Sequence, residues 1–116
     1  MSNVLLAEDD VTMVKLLETL LKMEGYQVSA LDADASVAEA VLADPPDILL
    51  MDVHLSNNNG IEELKKLRAA PGGGDVRVLM VSGLDFKAEC LANGADGFLQ
   101  KPFMPDDLLS ALQSMS

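Results

Sequence analysis

Short apolar runs alternate with longer amphipathic segments along the whole chain. Each apolar run is too short for a helix and too continuous for a half-exposed strand, which is the pattern of a strand buried on both faces. We predict five such strands, at residues 3–7, 27–31, 48–51, 76–81 and 97–100. The segments between them repeat apolar residues at helical spacing, as in the first, where they fall at Met13, Leu16, Leu17, Leu20 and Leu21.

The helix ends are predicted from capping residues and breakers. Gly25 should stop the first helix, and Asp10 should cap its start. Ser36 and Glu39 have the spacing of a capping box, so we predict that they open the second helix, which Pro45 and Pro46 end.

The last three helices carry similar signals. In the third, Ile61, Leu64 and Leu67 lie on one face, and Glu62 is placed to pair with Lys66. The fourth should be capped by Asp85, run through Ala92 and close at Gly94. Pro105, with two acidic residues after it, suits the start of the fifth, whose apolar face is Leu108, Ala111, Leu112 and Met115.

Strands that alternate with helices indicate an α/β fold with a parallel sheet covered on both faces. At 116 residues the chain suits one domain. Only 3% of residues are aromatic although 49% are hydrophobic, so the core must be aliphatic. In sheets of this kind, ligands bind beyond the carboxyl ends of the strands.

Charge and composition exclude several classes of protein. A net charge of −11 would repel a phosphate backbone, so we expect no direct nucleic-acid contact. No apolar stretch reaches the roughly 18 residues that span a bilayer, and the first residues lack a basic signal-peptide region, so we predict a cytoplasmic protein without membrane contact. Cys90 is the only cysteine and His54 the only histidine, which excludes an internal disulfide and a zinc cluster.

Polar side chains gather where the predicted strands end. Glu8 and Asp9 follow the first strand, Asp52 ends the third, Ser82 ends the fourth and Lys101 follows the fifth. Crowded carboxylates repel one another and favour a hard divalent cation, for which Mg²⁺ with water and phosphate is the best fit. One carboxylate could then attack phosphorus while a lysine neutralises the phosphoryl oxygens.

Four motifs in order resemble the receiver domain of two-component response regulators. They are residues 4–10, residues 48–52 with Gly60 behind them, residues 78–83 and residues 101–103, and the resemblance covers essentially the whole chain. It implies a flavodoxin-like, doubly wound sheet of five parallel strands in the order 2-1-3-4-5, flanked by five helices. It also implies one receiver domain over residues 1–116, of the single-domain chemotaxis-receiver type and without an output domain.

The resemblance also implies roles for individual residues. Asp52 matches the phosphoacceptor, and the metal ligands would be Glu8, Asp9, Asp52 and the backbone carbonyl of His54. Ser82 and Lys101 match the residues that grip the phosphoryl group, and Phe98 occupies the aromatic switch position. The imidazole of His54 is expected to point to solvent. Ser56 stands where the family usually has proline, so the loop after Asp52 should be less restricted.

The implied function is phosphorelay signalling. Asp52 would take a phosphoryl group from a histidine kinase or histidine-phosphotransfer protein, with Mg²⁺ as cofactor, and the protein would not be an enzyme beyond promoting its own phosphorylation and dephosphorylation. Lys15 and Lys22, beside Met13 and Val14, mark the first helix as the donor's docking face. The fourth helix, fifth strand and fifth helix would bind a downstream protein or a second copy as a homodimer.

Three alternatives share part of this pattern. A haloacid-dehalogenase-type phosphatase needs a second aspartate two residues after the first, where this chain has His54. A flavodoxin-like cofactor carrier needs a phosphate-cradling loop where this chain has Glu8, Asp9 and Asp10. A pseudo-receiver that binds partners without being phosphorylated is the main remaining alternative.

Overall fold

The apolar runs form strands and the amphipathic segments form helices in strict alternation. A computed structural model describes residues 2–31, 36–55 and 58–115. In these residues the strands are β1 (Asn3–Ala7), β2 (Gln27–Ala30), β3 (Ile48–Asp52), β4 (Arg77–Ser82) and β5 (Gly97–Gln100). The helices are α1 (Val11–Met23), α2 (Val37–Ala43), α3 (Gly60–Ala69), α4 (Lys87–Ala92) and α5 (Pro105–Met115). Ser56 lies outside the described residues.

All five strands are parallel and lie in the order β2-β1-β3-β4-β5, which confirms the predicted fold. β3 is central and is buried at all five positions. The register places Asp52 opposite Val81 and Ser82 opposite Gln100, so β3, β4 and β5 end close to one another at one edge of the sheet.

Two aliphatic cores cover the two faces of the sheet. Alternate residues of β3 point to opposite faces, so Leu49 and Met51 pack on one side under α2, α3 and α4, while Ile48 and Leu50 pack on the other under α1 and α5. Each fully buried Leu, Ile or Met contributes about 1.5–3 kcal/mol. The sheet is therefore held from both sides, and its rim is free to carry polar groups.

The helix ends confirm most of the predicted caps. Asp10 Oδ1 accepts hydrogen bonds from the N–H groups of Thr12 and Met13, and Gly25 takes a left-handed φ of 92° directly after α1. Asp85 Oδ1 accepts a hydrogen bond from Lys87 N, the first residue of α4.

The predicted capping box at Ser36 is wrong. Ser36 precedes α2 but makes no capping bond to it, and its hydroxyl instead donates to Glu63 Oε1 at 3.3 Å. The same Glu63 oxygen accepts a bond from Ala38 N at 3.3 Å, so α2 is capped by a carboxylate on α3. Glu63 is 3% exposed, and its Oε2 pairs with Lys66 Nζ at 3.1 Å. This pairing also corrects the predicted Glu62–Lys66 pair, because Glu62 bonds Lys65.

A single arginine fastens the opposite end of the sheet from the strand carboxyl ends. Arg68, at the end of α3, donates to the carbonyl oxygens of Gly73, Val76 and Gly94 at 2.6, 2.8 and 3.0 Å. It also pairs with Asp96 Oδ2 at 3.1 Å, which in turn accepts a bond from Val78 N. These contacts fix the connector before β4 and the turn before β5 to α3.

Candidate functional site

The site lies at the carboxyl edge of the sheet, where the five predicted polar residues stand at or just after the ends of four strands. Glu8 and Asp9 follow β1, Asp52 is the last residue of β3, Ser82 is the last of β4 and Lys101 follows β5. Because the strands are parallel and adjacent, their ends bring these residues to one rim.

The loop after β3 is closed tightly by Gly60. Gly60 N donates to Val53 O at 2.7 Å, and a Cβ at Gly60 would overlap the backbone oxygen of Asp52 and lie 3.0 Å from Val53 Cα. Only glycine therefore lets α3 start this close to the end of β3. Asn59 Oδ1 then caps α3 by accepting from the N–H groups of Ile61 and Glu62.

Lys101 holds the two most buried carboxylates of the site. Its Nζ donates to Glu8 Oε2 at 3.2 Å and makes a very short hydrogen bond to Asp52 Oδ2. The Glu8 and Asp52 side chains are 7% and 9% exposed, whereas that of Lys101 is 22% exposed. Asp52 Oδ1 accepts a further bond from His54 N at 2.9 Å. Asp52 is thus held on both oxygens.

The pKa values of the Glu8 and Asp52 carboxyl groups are shifted in opposite directions. Burial, together with the hydrogen bond and the charge of Asp52, raises the pKa of Glu8 from 4.5 to about 7. Burial alone would also raise the pKa of Asp52, but hydrogen bonds from Glu8, Lys101 and His54 N outweigh it and lower that pKa. Burial opposes the charge of Lys101, yet both carboxylates raise the pKa of its ammonium. At neutral pH Asp52 therefore keeps its charge, and Glu8 carries a proton part of the time.

The chemistry of these donors fits a hard divalent cation. Glu8 and Asp52 are buried carboxylates that share one ammonium, so an additional positive charge beside them would be favourable. Asp9, which is half-buried, follows Glu8 in the same loop. Over residues 2–31, 36–55 and 58–115, however, no three carboxylate, imidazole or thiol side chains are gathered as a metal-holding group. The ammonium of Lys101 instead contacts both Glu8 and Asp52.

Ser82 lies on β4, the strand next to that of Asp52, and Phe98 lies on β5, one strand further out. Ser82 is fully buried, and its hydroxyl accepts a bond from Leu84 N at 3.2 Å. Phe98, opposite Met80 in the sheet, is already partly buried against the core on the α3 and α4 side. Turning the Phe98 ring inward would therefore bury less additional surface than turning a fully exposed ring inward would.

The His54 side chain lies at the surface, as the sequence predicts, but its imidazole also makes an aromatic contact. The residue is exposed, but its ring meets the edge of the Phe86 ring, with the centroids 5.6 Å apart and the planes at 73°. Nothing in the local sequence signals this contact, since Phe86 belongs to the loop after β4. Phe86 is the residue near the site that the sequence patterns missed.

Residues 4–113 match the family described as the response regulator receiver domain. This chain belongs to that family. The receiver domain is 31% identical over 114 residues to the cell cycle transcriptional regulator CtrA of Caulobacter vibrioides, covering 97% of this chain and 49% of the relative. It is 34% identical over 118 residues to the transcriptional regulatory protein CpxR of Klebsiella pneumoniae, covering 99% and 49%. The chain thus spans about half the length of these curated relatives.

Solved structures share the fold across nearly the whole receiver domain. The chemotaxis response regulator CheY4 of Vibrio cholerae is 29% identical with a TM-score of 0.88, covering 100% of this chain and 99% of that one. The receiver domain of the sensor histidine kinase PA1611 from Pseudomonas aeruginosa is 27% identical with a TM-score of 0.85, covering 98% and 96%. The latter structure contains a magnesium ion coordinated in its active-site cleft.

Proposed function

We propose that this receiver domain accepts a phosphoryl group on Asp52, in a Mg²⁺-dependent reaction, from a histidine kinase or a histidine-phosphotransfer protein. The observation that carries the proposal is that the Asp52 carboxylate favours its ionised form and is held in a fixed orientation. Its carboxylate is buried at the rim, its pKa is lowered chiefly by hydrogen bonds that outweigh burial, and Lys101 and His54 N hold its two oxygens. An ionised, oriented carboxylate is what nucleophilic attack on phosphorus requires.

In the proposed transfer, a carboxylate oxygen of Asp52 forms a bond to phosphorus as the bond from phosphorus to the donor nitrogen breaks. The donor imidazole keeps that electron pair. Lys101 is already within reach of Asp52 and would move its ammonium to a phosphoryl oxygen, while the Ser82 hydroxyl would donate to another. Glu8, Asp9, Asp52 and the His54 carbonyl would hold Mg²⁺, which supplies positive charge for the phosphoryl oxygens.

The surface of α1 beside the site supports the donor's docking there. A groove of about 350 Å³ next to Glu8 and Asp9 is lined by Val11, Val14 and Lys15, among others. Lys15 and Lys22 are exposed as expected, whereas Met13 and Val14 are half-buried against the core. The large exposed apolar side chains of this helix are instead Val11, Leu16 and Met23, at 65%, 62% and 78%.

We propose that the downstream protein, or a second copy in a homodimer, binds the face of α4, β5 and α5. Leu84, Leu91 and Met104 are exposed on or beside these elements, at 60%, 42% and 67%. Exposed apolar side chains of this kind are typical of protein-binding surfaces. The net charge of −11 supports the proposal that this receiver domain does not itself contact nucleic acid. The relatives named as transcriptional regulators give that proposal no support.

Within the described residues no helix is long and apolar enough to cross a membrane. The cytoplasmic location and the absence of an output domain stay predictions from the sequence. The pseudo-receiver alternative has one observation in its favour, since Lys101 lies where a metal would neutralise Glu8 and Asp52.

Intact-mass measurement after incubation with acetyl phosphate tests the proposal. With Mg²⁺ the protein should gain one phosphoryl group that hydroxylamine removes, and with a chelator it should gain none. Asp52→Asn should abolish the gain, whereas the matched variant Asp75→Asn, which changes an exposed aspartate outside the site, should keep it. Labelling of Asp52→Asn equal to wild type would reject Asp52 as the acceptor, and an unlabelled wild type would favour the pseudo-receiver.

A further inference from the structure

An edge-to-face ring contact joins the loop after β3 to the start of α4. His54 lies two residues beyond Asp52, and Phe86 is the residue that directly precedes α4. The ring centroids are 5.6 Å apart at an interplanar angle of 73°, a geometry in which the positive edge of one ring meets the negative face of the other. The contact is directional, so a shift of either ring is felt by the other.

The backbone of His54 is tied to the phosphoacceptor itself. His54 N donates to Asp52 Oδ1 at 2.9 Å, and His54 also forms an isolated antiparallel bridge with Asn59, the cap of α3. The position of the imidazole ring therefore depends on a hydrogen bond whose acceptor is the carboxylate that would be phosphorylated.

The other ring belongs to the residue before a short helix, whose first N–H is held by Asp85 Oδ1. Phe86 makes no side-chain capping bond, and its carbonyl oxygen accepts from Cys90 N at 2.9 Å in the first turn of α4. The helix runs only from Lys87 to Ala92, and Cys90 is its one buried residue. The Phe86 side chain is half-buried against the core on that side of the sheet. Movement of Phe86 would therefore displace the start of α4 while Cys90 stays anchored.

We propose that the His54–Phe86 contact transmits the state of Asp52 to α4, by a route separate from Ser82 and Phe98. The inference rests on the proposed phosphorylation of Asp52. When Asp52 is esterified, its carboxylate charge passes to the phosphoryl oxygens, so the oxygen that accepts from His54 N becomes a weaker acceptor. His54 then changes position, its ring changes its contact with Phe86, and the first turn of α4 follows.

The test measures the change in amide chemical shifts of residues 87–92 when the protein is phosphorylated. Each change is scaled to the phosphorylated fraction found by intact mass, so that differences in labelling do not enter. Phe86→Leu keeps an apolar side chain but removes the ring, and it should reduce the scaled change at least about twofold. His54→Ala should reduce it by a similar factor, whereas His54→Phe, which retains a ring, should keep most of it.

The double variant decides whether the two residues act together. If the contact carries the signal, combining His54→Ala with Phe86→Leu should reduce the change no further than either substitution alone. The matched control is Lys87→Ala, which removes an exposed side chain next to Phe86 and should leave the change as in wild type. Near-wild-type changes in both ring-removing variants would overturn the inference. A wild type that takes no phosphoryl group would instead reject the proposed function on which it rests.

Discussion

The raised pKa of Glu8, which is caused chiefly by burial and by neighbouring Asp52, should make the stability of this receiver domain depend on pH in a range where most carboxylates are already ionised. Ionising Glu8 in the folded protein places a second negative charge beside buried Asp52. We expect wild type to lose stability as the pH rises from about 5 to about 8 in a chelating buffer, and Glu8→Gln to lose much less.

The size of the effect follows from the raised pKa of Glu8, which is 4.5 without the fold and about 7 within it. One pKa unit corresponds to about 1.4 kcal/mol, so the full effect is about 3 kcal/mol. A carboxyl whose pKa is raised by folding destabilises the protein progressively between its unfolded and folded pKa. Most of that loss should therefore fall between pH 5 and pH 8. The pKa of Asp52 is lowered, so its stabilising contribution is lost only at more acidic pH.

Urea unfolding followed by circular dichroism would measure this loss at several pH values. The free energy of unfolding of wild type should fall by about 2–3 kcal/mol more than that of Glu8→Gln across the range. Glu62→Gln is the matched control, because the Glu62 side chain is 61% exposed and its loss should leave the pH dependence unchanged. Parallel curves for wild type and Glu8→Gln would refute the raised pKa of Glu8.

Three further outcomes are expected. Asp9→Ala should bind Mg²⁺ far more weakly in calorimetric titration while the domain stays folded; an affinity equal to that of wild type would contradict the proposed metal ligands. Phe98→Ala should leave phosphorylation of Asp52 nearly intact but reduce the accompanying shift changes across residues 85–112, and undiminished changes would exclude Phe98 as a switch. Glu63→Gln should lower the free energy of unfolding by about 1–3 kcal/mol, because Glu63 holds Ser36 Oγ, Ala38 N and Lys66 from a buried position, and a loss no larger than that of Glu62→Gln would argue against the cap.

The parallel sheet and the rim residues could be predicted because both depend on local signals, whereas the order of the strands came only from the resemblance to receiver domains. A buried parallel strand needs a continuous apolar run, and five such runs with helices between them leave few topologies. The carboxyl ends of those runs are set by the first polar residue after them. The places of Glu8, Asp52 and Lys101 at the rim could therefore be predicted from the sequence. The hydrogen bonds from Lys101 to both carboxylates could not.

The wrong capping box and the missed ring contact both depend on residues distant in sequence, whereas the Glu62–Lys66 prediction fails locally, because each glutamate pairs at i+3. Ser36 has a suitable spacing to Glu39 for a capping box, but Glu63 lies closer in space once α3 packs beside α2. His54 looks solvent-facing in its own loop, and only the folded loop after β4 brings Phe86 to its ring. Neither partner can be read from a local window, because each belongs to a different strand–helix unit.

Arg68 gives the two ends of the sheet different sensitivities to the surroundings. A guanidinium keeps its charge at every physiological pH and offers five donors in a fixed plane, and here four of its contacts are to three backbone carbonyls and Asp96. The end that carries Glu8 and Asp52, by contrast, includes a carboxyl whose pKa is raised to about 7, and it is the end where we propose that Mg²⁺ and a phosphoryl group bind. The two ends of the sheet therefore differ, because one carries groups whose charge can change and the other is held by a charge that does not. A structural change at the first end leaves the second end in place.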